Sequence, residues 1–396
     1  NREKEHMKNG RDPVIVGLAD APIEDGKFVT KASVLGHAAL VAKAAVEEAG
    51  LTLDDVDGLL TAGMWGVPWP GQLATVTLGE YLGIMPTYVD GTNIGGSAFE
   101  AHVAHAAMAL REGYCEVALI VYSSDQKSLR SRNLGGRPSV LSMQHETPYG
   151  MPTPVGGYAM AAQRHMHEYG TTSENLAEIA VATRKWAQLN PAATRRDPLT
   201  VDDVLSSTMI SEPLHLLDCC LVTDGAGAIV MTTAERAKNL RTKPVAVKGY
   251  GEAHTHWAIA EMPDLARLLP AQKAGETAMK MAGVSPSDID VVEVYDSFTI
   301  TVLLTLEALG FCKIGEGGDF VSGQRTAPGG AFPMNTNGGG LSALHPGMYG
   351  IFLLIEATRQ LRGVCGDRQV AGAETALVHG TGGTLSSGAT VILQKD

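Results

Sequence analysis

Cysteine is too scarce in this chain to hold it together. Five cysteines are scattered over 396 residues, two of them adjacent at Cys219-Cys220, and none is spaced C-x-x-C. That rules out a disulfide framework and gives no spacing for structural zinc, so no metal site is expected. Long apolar runs are missing too: none approaches the ~18 residues that span a bilayer. Positive charge is in deficit, 31 lysines and arginines against 43 acids for a net −12. The balance argues against a nucleic-acid or anionic-membrane surface, while a local basic patch could still meet a phosphorylated ligand. The first nine residues are polar, with no hydrophobic stretch of signal-peptide type, and His6-Met7 reads as a cloning junction. A reducing cytoplasm is the expected compartment. Glycine, by contrast, is plentiful at 46 residues, which implies tight turns and close backbone approaches.

What is present repeats itself. Val14-Ile15-Val16-Gly17 reads as a buried strand, and a helix follows from about Lys31 to Ala49, ending on Gly50. Asp55-Val56-Asp57 then leads into apolar Gly58-Leu59-Leu60. The pattern returns with Pro244 to Val247, a helix from about Ala271 to Ala282, Gly283, and Asp288-Ile289-Asp290 leading into Val291 to Val294. The pairs Ala49/Ala282, Gly50/Gly283, Asp55/Asp288 and Asp57/Asp290 are all separated by the same distance along the chain. A second pair of segments also matches. Asp90 to Ser97 (DGTNIGGS) precedes a helix ending at Gly113 and a strand from Val117 to Tyr122; Asn335 to Gly340 (NTNGGG) precedes a helix ending at Gly363 and a strand from Ala376 to His379.

These repeats predict an α/β protein of two tandem β-α-β-α-β units, residues 12–235 and 243–396, with mostly parallel sheets buried on both faces. Residues of about 124–211 interrupt the first unit. They open with a loop carrying Arg130, Arg132, Gly135, Gly136, Pro138, Pro148, Pro152 and Pro154, followed by helices from about Tyr158 to His167 and from Ser173 to Gln188. A long loop of this kind either contacts substrate or packs as an ordered connection.

The doubled unit and four of its segments resemble the thiolase superfamily. Pro213-Leu214-His215-Leu216-Leu217-Asp218-Cys219-Cys220, then Thr223-Asp224-Gly225-Ala226, resembles the P-L-x-x-x-D-C…D-G-A run of the sterol-carrier-protein-type thiolases. Glu293-Val294-Tyr295-Asp296-Ser297-Phe298 resembles their V-E-x-H-D-x-F segment, and Asn337-Gly338-Gly339-Gly340 to His345-Pro346-Gly347 their N-x-x-G-G…G-H-P-x-G segment. His379-Gly380-Thr381-Gly382-Gly383 stands where the family has C-x-G-G-G. The resemblance implies the thiolase fold, a five-layer α-β-α-β-α arrangement with an insertion in its first half.

It also exposes departures. The nucleophilic cysteine of thiolases falls here on Asn93, whose amide cannot attack a thioester. The second family cysteine falls on His379, and the family histidine or asparagine falls on Tyr295; only His345 matches. None of Cys115, Cys219, Cys220, Cys312 and Cys365 is expected to substitute. What remains is a site that could hold an acyl thioester and stabilise its enolate. Free N–H groups near Gly95 suit an oxyanion, His345 and His379 can each move a proton, and Tyr295 can serve a hydroxyl.

That set suits aldol chemistry, and it resembles the lipid-transfer-protein-like branch that includes steroid side-chain aldolases. The resemblance implies retro-aldol cleavage of a β-hydroxyacyl-CoA with no tightly bound cofactor, the coenzyme A thioester being the substrate. It further implies a homodimer and a small zinc-ribbon/OB-fold companion, together forming a heterotetramer. Tyr295, His345 and His379 are the expected catalytic residues; Asn93, Gly95, Gly96, Asn337, Gly339, Tyr349 and Gly382 are the expected substrate contacts. Tyr349 is a candidate replacement for a second aldolase tyrosine, whose place falls near Leu344. Lys127, Arg130 and Arg132 could meet the phosphates of coenzyme A, and Asp296 is expected to order its loop. Two other readings stay open: an acetyltransferase-type thiolase subunit, and a non-catalytic acyl-CoA or lipid-binding protein.

Overall fold

A computed structural model describes residues 10–64, 73–129, 144–151 and 154–396. Arg130, Arg132, Gly135, Gly136, Pro138 and Pro152 lie outside the described residues. The first repeat supplies strands β1 (Pro13–Asp20), β2 (Gly58–Leu60), β3 (Tyr88–Asp90), β4 (Val117–Ser124) and β5 (Gly225–Thr233). The second supplies β6 (Val245–His254), β7 (Val291–Val294), β8 (Thr375–Gly382) and β9 (Ser387–Lys395). They bond in the order β7-β8-β9-β6-β1-β5-β4-β2-β3. The two halves meet where β1 and β6 run antiparallel, Val14 opposite Ala246 and Ile15 opposite Val245. Outward from that seam each half repeats the same strand order. In the second half the outermost strand is reduced to one parallel bridge, Val292 to Met334.

The sheet is mixed, which corrects the expectation of mostly parallel strands. Strands β5 and β9 each run antiparallel to both neighbours, and only β2·β3, β2·β4 and β7·β8 are parallel. The reason is the connection. β8 turns straight back into β9 within a few residues, and a short link can only join antiparallel strands. In the first half the insertion occupies that same place, between β4 and β5.

Helices fill the layers. Helix α1 (Val34–Ala49), capped by the Ser33 side chain and stopped by Gly50, covers the outer face of the first half. Helices α2 (Ala98–Glu112) and α7 (Gly350–Arg362) share a central core with the inner faces of both halves. The outer face of the second half carries α5 (Leu269–Ala282) and α6 (Thr299–Ala308), together with the insertion helices α3 (Val155–Tyr169) and α4 (Ser173–Gln188). This is the expected five-layer order. Among the described residues no helix is long and apolar enough to cross a membrane, and no His/Cys/Asp/Glu group could hold a metal.

The acidic residues of the family-like runs are anchors. Asp218 accepts from the Thr299 hydroxyl (2.8 Å) and the His215 N–H (2.9 Å), tying the end of the insertion to α6. Asp224 accepts the N–H groups of Phe28, Lys127 and Ser128, fixing the start of the insertion against a small hairpin of Ile23–Glu24 and Lys27–Phe28.

Duplication is visible down to single glycines. β1 carries a register shift between Ile15 and Gly17, and β6 one between Val247 and Gly249. A Cβ on Gly17 would lie 2.1 Å from the Ala45 carbonyl oxygen of α1, and one on Gly249 would lie 2.1 Å from that of Ala278 in α5. Each strand needs a missing side chain where its helix crosses. Gly249→Ala should therefore cost about 2–3 kcal/mol by overpacking. Gly83→Ala, which meets nothing within 4 Å but sits at φ +70, should cost only about 1 kcal/mol. Paired denaturant titrations check this; equal losses would mean that helix contact is not what fixes the bulge.

Candidate active site

Two turns are built alike at the same edge of the molecule. The Asn93 Oδ1 accepts the N–H of Gly95 (3.1 Å), and the Asn337 Oδ1 accepts the N–H of Gly339 (2.7 Å). Gly95 and Gly339 both take positive φ, +72 and +59, which glycine adopts without strain. Each asparagine thus closes an Asx turn. Asn93 also donates through Nδ2 to the Ala62 carbonyl (3.0 Å). Asn93 is therefore a turn former, with both ends of its amide engaged. Of the N–H groups expected to be free near Gly95, that of Gly95 itself is taken by Asn93.

The first turn presses against the end of β8, backbone to backbone. A Cβ on Gly382 would sit 1.7 Å from the Ile94 carbonyl oxygen, and one on Gly95 would sit 2.6 Å from the Gly383 nitrogen. Gly96 lies under the ring of Tyr295, whose Cε2 would be 2.2 Å from a Cβ there. Gly95, Gly96 and Gly382 make room for each other and for Tyr295.

Tyr295 follows β7, and its N–H donates to the His379 carbonyl (3.0 Å). Its hydroxyl oxygen accepts the Tyr349 N–H (3.1 Å) and lies 3.0 Å from His345 Nε2. The phenol donates there whenever Nε2 is the unprotonated ring nitrogen. Burial holds the Tyr295 hydroxyl well above its usual range, and the nearby Cys220 adds to the effect, so Tyr295 is a neutral phenol at physiological pH. His345 is held by its own backbone: its N–H donates to Thr223 Oγ1 (3.0 Å) and its carbonyl accepts from Thr223 (3.2 Å). The following loop is gripped from the first half, where Tyr122 on β4 accepts from the Met348 N–H and donates to the Pro346 carbonyl.

Tyr349 contributes differently from expectation. Its hydroxyl donates to Asn337 Oδ1 (2.9 Å) and is fully buried, so its backbone N–H, not its phenol, serves the site. Asp296 accepts from the N–H groups of Gly340 (2.6 Å) and Leu341 (3.1 Å), ordering the second turn as expected; burial pushes its carboxyl up to about 7.

His379 does not join Tyr295 and His345. Along β8, Ala376 and Val378 face the central core while Leu377 faces the outer one, and alternation puts His379 with Leu377. Its Nδ1 lies 2.8 Å from Thr390 Oγ1 on β9, and its Cε1 reaches toward the start of α5 beside Ala271. Nε2 has no partner among the described residues. The histidine is thus on the opposite face of the sheet from Tyr295, and burial lowers its pKa to about 3. Strand alternation could have found this; matching one motif letter to another could not.

A cavity of about 270 Å³ adjoins His345 through Thr223 and is also lined by Asp25, Lys127, Thr194, Arg195, Leu221 and Val222. Sequence reading missed Thr223 and Tyr122 as supports of His345, missed Arg195 in the cavity wall, and missed that Cys220 lies close enough to influence Tyr295. Thr223, Tyr122 and Cys220 carry no local signal, because each acts across more than fifty residues of sequence.

Comparison with known proteins adds four findings. The Thiolase C-terminal domain-like family matches residues 251–395. An acetyl-CoA acetyltransferase of Methanothermobacter thermautotrophicus is 33% identical over 97% of this chain and 100% of its own. The 17-hydroxy-3-oxo-4-pregnene-20-carboxyl-CoA lyase of Mycobacterium tuberculosis is 34% identical over 96% of this chain and 99% of its own. The solved Ltp2-ChsH2(DUF35) aldolase superposes with a TM-score of 0.86 at 32% identity, covering 98% of both chains.

The placement of His379 makes a direct prediction. In a pH titration of histidine-labelled protein followed by NMR, the His379 ring should stay neutral down to pH 5. Its pKa is lower folded than unfolded, so the unfolded chain binds this proton first, and stability falls as pH drops from 6.5 toward 3. A His379 midpoint near 6.5 would place the ring in solvent and overturn the assignment.

Proposed function

The chain belongs to the thiolase superfamily, in its sterol-carrier-protein-type branch, and on that premise we propose that it is a lyase cleaving the Cα–Cβ bond of a β-hydroxyacyl-CoA. The observation that carries the reading is the hydrogen-bonded pair of Tyr295 and His345 in a site whose nucleophile position holds a fully engaged asparagine. In the proposed step the Tyr295 oxygen takes the β-hydroxyl proton as its own proton passes to His345 Nε2. The Cα–Cβ bond breaks, its electrons leave on the acyl-CoA fragment as an enolate, and the β-carbon becomes a carbonyl. The same pair then returns the proton to the enolate carbon, so no acyl-enzyme is formed and no proton is gained or lost. The Tyr349 N–H keeps the Tyr295 oxygen in place throughout. Lys127 and Arg195, in the wall of the adjoining cavity, supply positive charge suited to coenzyme A phosphates.

Two assembly features belong to the same proposal. Strand β3 is a sheet edge, and around it Met85, Val89, Met108 and Tyr114 are exposed. An apolar edge of this kind is a liability unless covered, and a second copy of the chain pairing along it would cover it. A companion protein, of the kind named beside Ltp2 in the solved Ltp2-ChsH2(DUF35) aldolase, would add to the dimer.

The test is a panel of β-hydroxyacyl-CoAs with a zinc-ribbon/OB-fold companion added, with released acetyl- or propionyl-CoA as the readout. Tyr295→Phe should lower kcat by about 10²–10⁴-fold with KM little changed, and His345→Ala should impair both. Intact-protein mass spectrometry after incubation with acyl-CoA should show no adduct. An adduct on any cysteine, or thiolysis of acetoacetyl-CoA, would move the protein to the acetyltransferase reading. Micromolar acyl-CoA binding without cleavage of any substrate would make it a binding protein. Light scattering at micromolar concentration should give a dimer; a monomer would remove the assembly proposal.

A further inference from the structure

The central layer holds a carboxyl that the proposed step does not use. Glu100 lies in the first turn of α2, fully buried, and beyond its own backbone N–H its carboxyl oxygens meet no hydrogen-bond partner among the described residues. The protein has cleared space for it. A Cβ on Gly350, the first residue of α7, would lie 2.4 and 2.8 Å from the two carboxyl oxygens, and one on Gly380 of β8 would lie 2.2 Å from Oε2. Gly96, which receives the Tyr295 ring, is within 2.3 Å of the same Gly350 position through its carbonyl oxygen. The carboxyl and the tyrosine ring therefore lie on either side of the Gly96–Gly350 backbone contact.

A buried carboxyl with no partner beyond its own N–H is costly, and a protein that needed only packing there would carry leucine or glutamine. We propose that Glu100 is a positioning residue of this site: a carboxylic acid that must keep its proton for the glycine-turn side of the niche to accept the negative charge of an enolate. The inference rests on the lyase reading, because an enolate is what the charge argument needs. In its neutral form Glu100 adds no charge behind the turns of Gly95–Gly96 and Gly380–Gly382. Once ionised, it places a second anion beside the developing one, and the step is penalised.

The surroundings support a proton held near neutrality. Burial pushes the Glu100 carboxyl up to about 8. The titratable groups on the elements that border it are uncharged at neutral pH. Tyr295, after β7, and Tyr349, before α7, are both raised far above neutrality by burial, and His102 on α2 is lowered to about 4. From β8 the neighbour is Gly380, since His379 faces the other way. No cation among these residues offsets an ionised Glu100.

Glu100→Gln keeps the shape and removes the titration, and three measurements read the result. Wild-type kcat/KM should fall about tenfold between pH 7 and 9, the loss of the neutral fraction of a group titrating near 8, and in the variant that limb should disappear or move upward. Thermal stability should move the opposite way from a packing defect. The folded pKa lies above the ordinary 4.5, so the unfolded chain holds less of this proton and the wild type loses stability as pH rises from 4.5 to 8. The variant should accordingly gain Tm relative to wild type across that window. Third, a protonated-carboxyl infrared band absent from the variant should shift when acyl-CoA binds, which needs no turnover. An unchanged alkaline limb overturns the proposal, as does a Glu100 band indifferent to acyl-CoA. If no β-hydroxyacyl-CoA is cleaved, the lyase reading falls by itself and the infrared result still decides whether Glu100 senses the ligand.

Discussion

A side-chain carbon at Gly382 would lie 1.7 Å from the carbonyl oxygen of Ile94. That contact, peptide against peptide with nothing between, is the constraint on which the candidate site rests. It brings the first-half turn at Gly95–Gly96 onto the end of β8, and it leaves Gly96 flat enough to receive the Tyr295 ring. Tyr295 can then meet His345 on one side and the start of α7 on the other. Each of these elements comes from a different stretch of chain. Only backbone contact brings them this close, because side chains would hold them several ångströms apart.

Around this contact the structure separates supporting carboxyls from the one that has no support. Asp218, Asp224 and Asp296 each accept two or more hydrogen bonds and fasten loops. Glu307 does the same for the insertion, meeting His165 and the Gly317 N–H. Against that pattern the carboxyl of Glu100, with no partner beyond its own N–H, stands out on chemical grounds. Among the described residues the other buried acids accept hydrogen bonds from groups beyond their own backbone, as hydrogen-bond balance requires.

Much of the fold was legible because it is written twice. The end of α1 at Gly50, the whole of α4, and the end of α5 at Gly283 were readable from cap residues and spacing. Strands β5 and β9 were not. Gly225-Ala226-Gly227-Ala228 has the composition of a turn, yet it forms a central strand because both of its faces are crowded by helices; Gly227, for one, lies against Phe352 and Ile355 of α7. In the site, Tyr295 with His345 was readable from motif position. His379 was expected beside Tyr295 and His345 and lies on the other face, because a motif letter carries no strand parity. Tyr349 was expected to act through its hydroxyl and instead presents its N–H. Glu100 gave no sign at all: it is one acid in an alanine-rich helix, and only the glycines opposite, from distant segments, reveal that it is housed.

Glu100 and Gly350 stand the same number of positions ahead of the glycines that cap their helices, Gly113 and Gly363. They are the same site in the two repeats, and they touch. Two identical subunits related by a true twofold axis could not make this arrangement, since the axis would bring two glutamates, or two glycines, to one point. Fusing the repeats into one chain removes that obligation. One copy can grow a side chain through the axis while the other gives up its own to receive it. The asymmetry of the molecule, with Tyr295 and His345 in one half and the Asn93 turn in the other, is thus a freedom gained by covalent duplication that an assembly of equals would not possess.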